Sequence, residues 1–111
     1  LGQLANRPWV MLSAGAGKEQ FRRVLEHAFA AGASGFLAGR AIWLDAFQSY
    51  PDWNKIRHEL ETDAVAYLQS ISQLADKKAH NWQQHACFGE SGAQFTPASS
   101  DFRSQYKTMV E

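Results

Sequence analysis

Two short apolar stretches, each followed by a glycine-containing turn and then a helical pattern, constrain the fold more than any other feature. Residues 9–12 (WVML) precede the turn at 13–17 (SAGAG), and residues 36–38 (FLA) precede Gly39 and Arg40. Short apolar runs of this kind are typical of strands buried on both faces of a parallel sheet. The repeated order of strand, turn and helix predicts a right-handed parallel βαβα unit of an α/β protein.

The helical patterns divide the rest of the chain. The helix predicted over residues 18–31 ends at Gly32, and its apolar face comprises Phe21, Val24, Leu25, Ala28 and Ala31. Another helix begins at Arg40, and Asp52 is placed to cap a short helix around residues 53–58. A long helix is predicted over about residues 62–81, with the apolar stripe Ala64, Tyr67, Leu68, Ile71, Leu74 and Ala75. Residues 1–85 therefore form the predicted α/β part.

The tail, residues 86–111, is richer in Gly, Ser and Thr, and it is predicted to be irregular with a helical turn or two from Asp101. The opening residues, LGQLANRP, lack a methionine and resemble the end of one element and a loop. The expectation is therefore a fragment of a larger protein.

Charge and composition limit the partners that the chain is expected to have. Eleven basic residues balance eleven acidic ones, which leaves no broad field to attract nucleic acid or an anionic membrane. The single cysteine, Cys87, excludes an internal disulfide and suits a reducing compartment. No apolar window has the length of a membrane span, and no signal peptide is evident. The expectation is a cytoplasmic protein in which any anion site is local.

The first turn matches a nucleotide-binding loop only in part. A Walker A loop needs G-x-x-x-x-G-K-[ST], and Gly17 with Lys18 supplies its middle, but Leu12 replaces the first glycine and Glu19 replaces the hydroxyl. Gln20 likewise stands where a dinucleotide fingerprint needs a small residue. Lys18 lies in the predicted exposed first turn of a helix, so it is expected to be a solvated lysine and not a Schiff-base nucleophile.

A more general anion site is consistent with both turns. Backbone N–H groups of Ala14, Gly15 and Ala16 lie near a helix N-terminus and can donate to a phosphate. The second turn adds Gly39 and the permanent charge of Arg40. Many (β/α)₈ barrels bind phosphate between the loops that follow their seventh and eighth strands. Spacing alone leaves open whether the two turns bind an anion or are only structural.

Other chemical groups give weaker signals. His80, His85 and Cys87 offer three metal ligands without a clear fourth, so no metal site is predicted. Three tryptophans at helical positions suit core or interface anchors better than platforms for a sugar or base. These tryptophans are Trp43, Trp53 and Trp82.

The stretches PWVMLSAG and SGFLAGRAIW resemble the C-terminal part of the class I tagatose 1,6-bisphosphate aldolase family, which includes bacterial sulfofructose phosphate aldolases. The resemblance covers residues 4–47 and extends more loosely through LQSISQLADKKAHNW, but not beyond His85. It implies a (β/α)₈ TIM barrel, with residues 9–13 as the seventh strand and 35–39 as the eighth. It also implies cleavage of ketose 1,6-bisphosphates, or related sulfonated sugars, through a lysine Schiff base without a metal or other cofactor.

The resemblance assigns roles to residues in both turns. Ser13, Ala14 and Gly15 match the family's anion-binding turn, and Gly39 with Arg40 matches the turn whose arginine holds the substrate's phosphate or sulfonate. In tagatose 1,6-bisphosphate cleavage, which yields glycerone phosphate and an aldehyde phosphate, these turns would hold the substrate. The small residues Ala16 and Gly17, where the family's turn is often more polar, leave the preference between phosphate and sulfonate open.

The same resemblance places the catalytic lysine outside this chain. The family's Schiff-base lysine ends the sixth strand, which would precede Leu1. We therefore predict no catalytic residue in this segment and no cleavage activity of the segment alone. It is expected to associate with the rest of the barrel or with itself, because two strands leave both sheet edges open. Alternatives are a non-catalytic phosphosugar-binding or assembly module and a phosphosugar isomerase or epimerase on the same barrel.

Overall fold

Strands and helices alternate in the first half of the chain, and helices continue thereafter. The structure is a computed structural model that describes residues 6–94 and 100–101. Its main elements are β1 (Val10–Leu12), α1 (Lys18–Ala30), β2 (Gly35–Leu37), α2 (Arg40–Phe47), α3 (Trp53–Glu59) and α4 (Val65–Lys78). A π-helical turn, Leu60–Ala64, joins α3 to α4, and 3₁₀ turns follow at Trp82–Gln84 and Ala86–Phe88. No helix within the described ranges is both long and apolar enough to cross a membrane.

The two strands form a parallel sheet whose register pairs Leu12 with Leu37. Backbone hydrogen bonds extend this pairing at both ends. The Ser34 N–H donates to the Trp9 carbonyl at 2.8 Å, and the Ser13 N–H donates to the Leu37 carbonyl at 3.0 Å. The predicted strand–helix–strand order is therefore confirmed. Because the strands are parallel, both glycine turns lie at the same end of the sheet, where the two strands terminate.

Among the described residues, only one face of the sheet is covered. Met11 and Phe36 pack against the core formed with the helices, and Phe36 contacts Phe21 edge to face at a ring distance of 6.2 Å. The opposite face presents Val10, Leu12 and Leu37, which are 41%, 58% and 60% exposed. The expectation of strands buried on both faces is therefore wrong for this chain, because its helices cover a single side.

Helix α1 provides the centre of the core. Phe21, Leu25 and Phe29 are almost completely buried and pack with Ile71 and Leu74 of α4. The predicted apolar face omitted Phe29 and included Ala31, which is exposed just beyond the helix. Ala31 is exposed because the helix ends at Ala30. Phe29 is buried because it belongs to the core cluster that includes Ile71 and Leu74 of α4.

The end of α1 confirms the predicted glycine stop. Gly32 has a φ of +101°, a left-handed conformation that glycine adopts without a Cβ penalty. The Ala33 N–H donates to the Ala28 carbonyl at 2.9 Å, and the Gly32 N–H donates to the Phe29 carbonyl at 3.1 Å. This pair of bonds is a Schellman motif, which satisfies carbonyls at the helix end. The chain thereby reverses into β2.

The second half of the chain is helical without a break from Trp53 to Lys78. Asp52 caps its start, as predicted, because its carboxylate accepts a hydrogen bond from the Lys55 N–H at 3.1 Å. The expectation of two separate helices is wrong, since residues 53–78 contain neither glycine nor proline to interrupt them. The join is instead a π-helical turn. The predicted apolar stripe is also too wide, because Leu68 is 40% exposed.

Residues after α4 fold back on themselves. The Ala93 N–H donates to the Gln83 carbonyl at 2.8 Å, and the rings of Trp82 and Phe88 meet edge to face at 6.1 Å. These contacts span the predicted boundary between residues 85 and 86, which remains a prediction. The predicted helical turns after Asp101 lie outside the described residues.

Candidate anion-binding site

The first turn is a tight reversal that requires left-handed backbone. The Ala16 N–H donates to the Ser13 carbonyl at 2.9 Å, and the two residues between them, Ala14 and Gly15, have φ values of +50° and +81°. Positive φ at both central positions is the pattern of a type I′ turn. The turn is followed directly by Gly17, which occupies the N-cap position of α1. The chain thus passes from β1 to α1 in five residues.

The backbone bonds of this turn decide which donors can reach a ligand. The Ser13 N–H is already bonded to the Leu37 carbonyl, and the Ala16 N–H to the Ser13 carbonyl. Each backbone nitrogen offers a single hydrogen, so these two groups cannot also hold an anion. The predicted donor role of Ala16 is therefore wrong. Within the described ranges the N–H groups of Ala14 and Gly15 donate to no protein acceptor, and Ser13 contributes a buried residue at the base of the turn.

The second turn places a cation at the start of a helix. Gly39 is the N-cap residue of α2 and Arg40 is the first helical residue. The Ile42 N–H donates to the Gly39 carbonyl at 2.8 Å, and this bond closes the first helical turn of α2. The N–H groups that precede Ile42 have no acceptor inside the helix, and the helix dipole makes this end positive. Backbone and side chain therefore favour an anion at the same place.

Contact between the two turns is direct. A Cβ added to Gly15 would lie 3.0 Å from Nη2 and 3.2 Å from Cζ of Arg40, so the guanidinium lies against the glycine backbone. Within the part of the chain that the structure describes, the Arg40 side chain has no ion pair or hydrogen bond. Its donors therefore remain available to a ligand. Gly15 is required both for its backbone conformation and for this close approach.

All five residues predicted to bind an anion line one open cleft of about 500 Å³. The lining also includes Leu12, Leu37, Ala38 and Trp43, and none of these residues is acidic. The cleft lies at the carboxyl end of the two strands, which is the edge where α/β proteins bind their ligands. The structure thus brings together the residues that the sequence singled out, although their binding role remains a prediction.

Lys18 is less exposed than the sequence indicated. Its Nζ lies 3.9 Å from the Asp45 carboxylate and 5.5 Å from the centre of the Tyr67 ring, and 26% of its side chain is exposed. The Tyr67 hydroxyl in turn donates to the Lys18 carbonyl at 2.9 Å. Burial raises the pKa of Tyr67 above 10.0, and the nearby charge of Arg22 opposes this shift. The expected solvated lysine is therefore a half-buried residue that joins α1 to α2 and α4.

The remaining predicted groups lie apart from the cleft or at its rim. His85 caps a 3₁₀ turn, since its Nδ1 accepts a hydrogen bond from the Cys87 N–H at 3.0 Å. The tryptophans predicted to be core or interface anchors are not core residues, because Trp43, Trp53 and Trp82 are 41%, 61% and 42% exposed, and an interface role stays a prediction. Sequence reasoning missed Trp43 as part of the site. The available signal was its position three residues after Arg40, which places both side chains on neighbouring positions of one helix.

Comparison with known proteins gives the site a context. Residues 3–45, a segment that contains both turns, match a family model described as DeoC/LacD family aldolase. Tagatose 1,6-diphosphate aldolases from Staphylococcus aureus strains JH9, Newman and N315 are each 33% identical over 81 residues. Both kinds of match support the DeoC/LacD aldolase family. They support the family and not one of its subfamilies.

The alignment covers different fractions of this chain and of its relatives. The alignment covers 69% of this chain but 25% of each tagatose 1,6-diphosphate aldolase, so the chain spans about a quarter of the length of these relatives. The α/β order of the two strands agrees with the TIM barrel that this family implies.

Proposed function

We propose that this chain is the C-terminal barrel segment of a class I aldolase and supplies the turns that bind the substrate's terminal anion. The substrate is a ketose 1,6-bisphosphate such as tagatose 1,6-bisphosphate, cleaved to glycerone phosphate and an aldehyde phosphate. The observation that carries the proposal is the contact of the Arg40 guanidinium with Gly15, which joins two βα turns into one site. The similarity to aldolases across both turns supports it.

The chemistry of the site is binding and orientation. The guanidinium of Arg40 offers paired N–H donors to a phosphate or sulfonate, and the free N–H groups of Ala14 and Gly15 add neutral donors from the other side. Gly39 contributes the helix start at which the dipole is positive. Fixing the terminal anion holds the sugar so that its carbonyl can meet a nucleophile, which lowers the entropic part of the barrier. The Schiff-base lysine is assigned to a preceding strand and not to this segment.

The uncovered sheet face supports a role within a larger barrel. Val10, Leu12 and Leu37 form an apolar surface on one side, and within the described residues each strand has an unpaired edge. Closed barrels bury such a face inside and pair both edges. The rest of the barrel is therefore the proposed partner, and a phosphorylated or sulfonated sugar in the cytoplasm is the proposed ligand.

Inorganic phosphate tests the anion site directly on this chain. Titration followed by ¹⁵N NMR should shift the amide signals of Gly15 and Arg40. Arg40→Ala should weaken binding about tenfold or more, since a hydrogen bond to a charged group contributes about 1.5–3 kcal/mol. Arg23→Ala is the matched control, because it removes the same charge from the exposed face of α1.

A complete enzyme that contains this segment provides the functional test. There, Arg40→Ala should raise KM for the phosphorylated substrate about tenfold while the Arg23→Ala control leaves it unchanged. Equal phosphate affinity in the Arg40→Ala and Arg23→Ala chains, or an unchanged KM in the Arg40→Ala enzyme, would show that Arg40 is not part of a substrate-binding site.

A further inference from the structure

Trp43 lies at the Gly39 side of the cleft. It follows Arg40 on the first turn of α2, and its backbone N–H donates to the Gly39 carbonyl at 3.3 Å. A Cβ added to Gly39 would lie 3.7 Å from the indole Nε1 of Trp43. The indole nitrogen is therefore adjacent to the backbone of the second turn, at the edge of the cavity that Arg40 also lines.

The indole ring is held by a neighbouring aromatic residue. Phe47, one helical turn later, meets Trp43 edge to face at a ring distance of 5.5 Å and an interplanar angle of 78°. This contact restricts the ring, whereas the Nε1–H has no hydrogen-bond acceptor within the described ranges. Because Trp43 is 41% exposed, this N–H is accessible to a ligand. An accessible donor without a protein acceptor, next to a cationic site, is suited to a ligand oxygen.

We propose that the Trp43 indole N–H donates to the same terminal phosphate or sulfonate that Arg40 binds, and that it selects tetrahedral over planar anions. This inference rests on the proposed anion site. A terminal phosphate or sulfonate group has three outer oxygens, and the guanidinium fork of Arg40 can pair with two of them. Trp43 then supplies a donor for the third oxygen. A planar carboxylate has two oxygens, so it can occupy the arginine fork while leaving the indole N–H without an acceptor.

The selectivity can be measured with two small anions of equal charge. Methanesulfonate is tetrahedral at sulfur and acetate is planar, and both carry a single negative charge at neutral pH. The wild-type chain should bind methanesulfonate more tightly than acetate. Trp43→Phe keeps an aromatic ring but removes the N–H, and it should weaken methanesulfonate binding about threefold to tenfold while changing acetate binding less than twofold.

The indole signals give a direct readout. The chain contains four tryptophans, Trp9, Trp43, Trp53 and Trp82, each with its own indole N–H resonance. The Trp43 signal, assigned by its loss in Trp43→Phe, should shift on addition of methanesulfonate more than the other three. Trp53→Phe is the matched control, because Trp53 is exposed and does not line the cleft. Retention of the three remaining indole signals at their wild-type chemical shifts shows that the variant is folded.

Two results separate this inference from the proposed function. If methanesulfonate shifts the Gly15 and Arg40 amides but leaves the Trp43 indole unmoved, the role of Trp43 is overturned and the anion site stands. If none of these signals moves, the anion site itself is refuted together with the role of Trp43. Equal loss of acetate and methanesulfonate binding in Trp43→Phe would likewise contradict selection by the indole N–H.

Discussion

Glycine is needed at position 15 for two reasons, and a pair of substitutions can separate them. Its φ of +81° is in the left-handed region, and an added Cβ would meet the Arg40 guanidinium at 3.0 Å. Gly32 has a φ of +101°, but an added Cβ there would meet no atom within 4 Å. Gly15→Ala and Gly32→Ala therefore impose comparable backbone strain, and only the former disturbs Arg40. The pair distinguishes an effect on folding from an effect on the site.

The expected magnitudes follow from these contacts. Left-handed backbone costs a non-glycine residue about 1–2 kcal/mol, and the stiffer unfolded chain offsets about 0.4–1 kcal/mol. Each variant should therefore lose about 1 kcal/mol of unfolding free energy, or about 5 °C in Tm. The guanidinium ends a long side chain and can move aside at little cost to stability. Its displacement from the anion should nevertheless weaken phosphate binding by Gly15→Ala about tenfold.

Two measurements check this expectation. Urea or thermal unfolding followed by circular dichroism gives the stability of each variant, and NMR titration with inorganic phosphate gives its affinity. We expect similar losses of stability for both variants and a loss of affinity only for Gly15→Ala. Wild-type phosphate affinity in Gly15→Ala would refute the reasoning, because the guanidinium would then bind its ligand without the space that glycine leaves.

Two further predictions concern the uncovered sheet face and the buried tyrosine. Leu37→Thr should change the unfolding free energy of this chain by less than about 0.5 kcal/mol, because Leu37 is 60% exposed; in a complete barrel that buries this face, it should cost about 2 kcal/mol or more, and equal small losses in both would argue against a buried interior position. Tyr67 has a pKa raised above 10.0 by burial, so its contribution to stability is complete below pH 10.0 and declines as the pH rises through the folded-state pKa. Tyr67→Phe should flatten this alkaline decline in urea unfolding, and an unchanged slope would exclude Tyr67 as its source.

The elements of this fold were predictable where local chemistry decides them. Glycine at position 32 and aspartate at position 52 fix a helix end and a helix start through bonds to their own neighbours. The unbroken helix from Trp53 to Lys78 was not foreseen, although residues 53–78 contain neither glycine nor proline to interrupt it. The exposed sheet face was also missed, since an apolar run indicates a capacity for burial and not the presence of a partner.

The residues that line the cleft were predictable by type and position, but the backbone donors that remain free there were not. Backbone N–H groups of Ala14, Gly15 and Ala16 were predicted as donors at the first turn. Turn closure uses that of Ala16, and strand pairing uses the neighbouring N–H of Ser13. Which donors remain therefore depends on a hydrogen bond to β2, twenty-four residues away from Ser13 at Leu37. Such a bond is invisible in local sequence. The same holds for Trp43, whose relevance comes from its proximity to Gly39.

The dependence of the first turn on β2 has a mechanical consequence for the proposed site. The Ser13 N–H bond to the Leu37 carbonyl is the last hydrogen bond between the strands; Ser13 begins the first turn, and Leu37 lies two residues before Gly39. Gly15 and Arg40 can therefore meet only when the sheet has its observed register, since a slip of one residue would move one strand past the other by about 3.3 Å and turn the slipped strand's side chains to the other face. We therefore expect anion binding at the proposed site to depend on correct strand pairing. A ligand that bridges the two turns should stabilise the pairing of the strands themselves, and a sheet with altered register should lose the site even though every residue of both turns is still present.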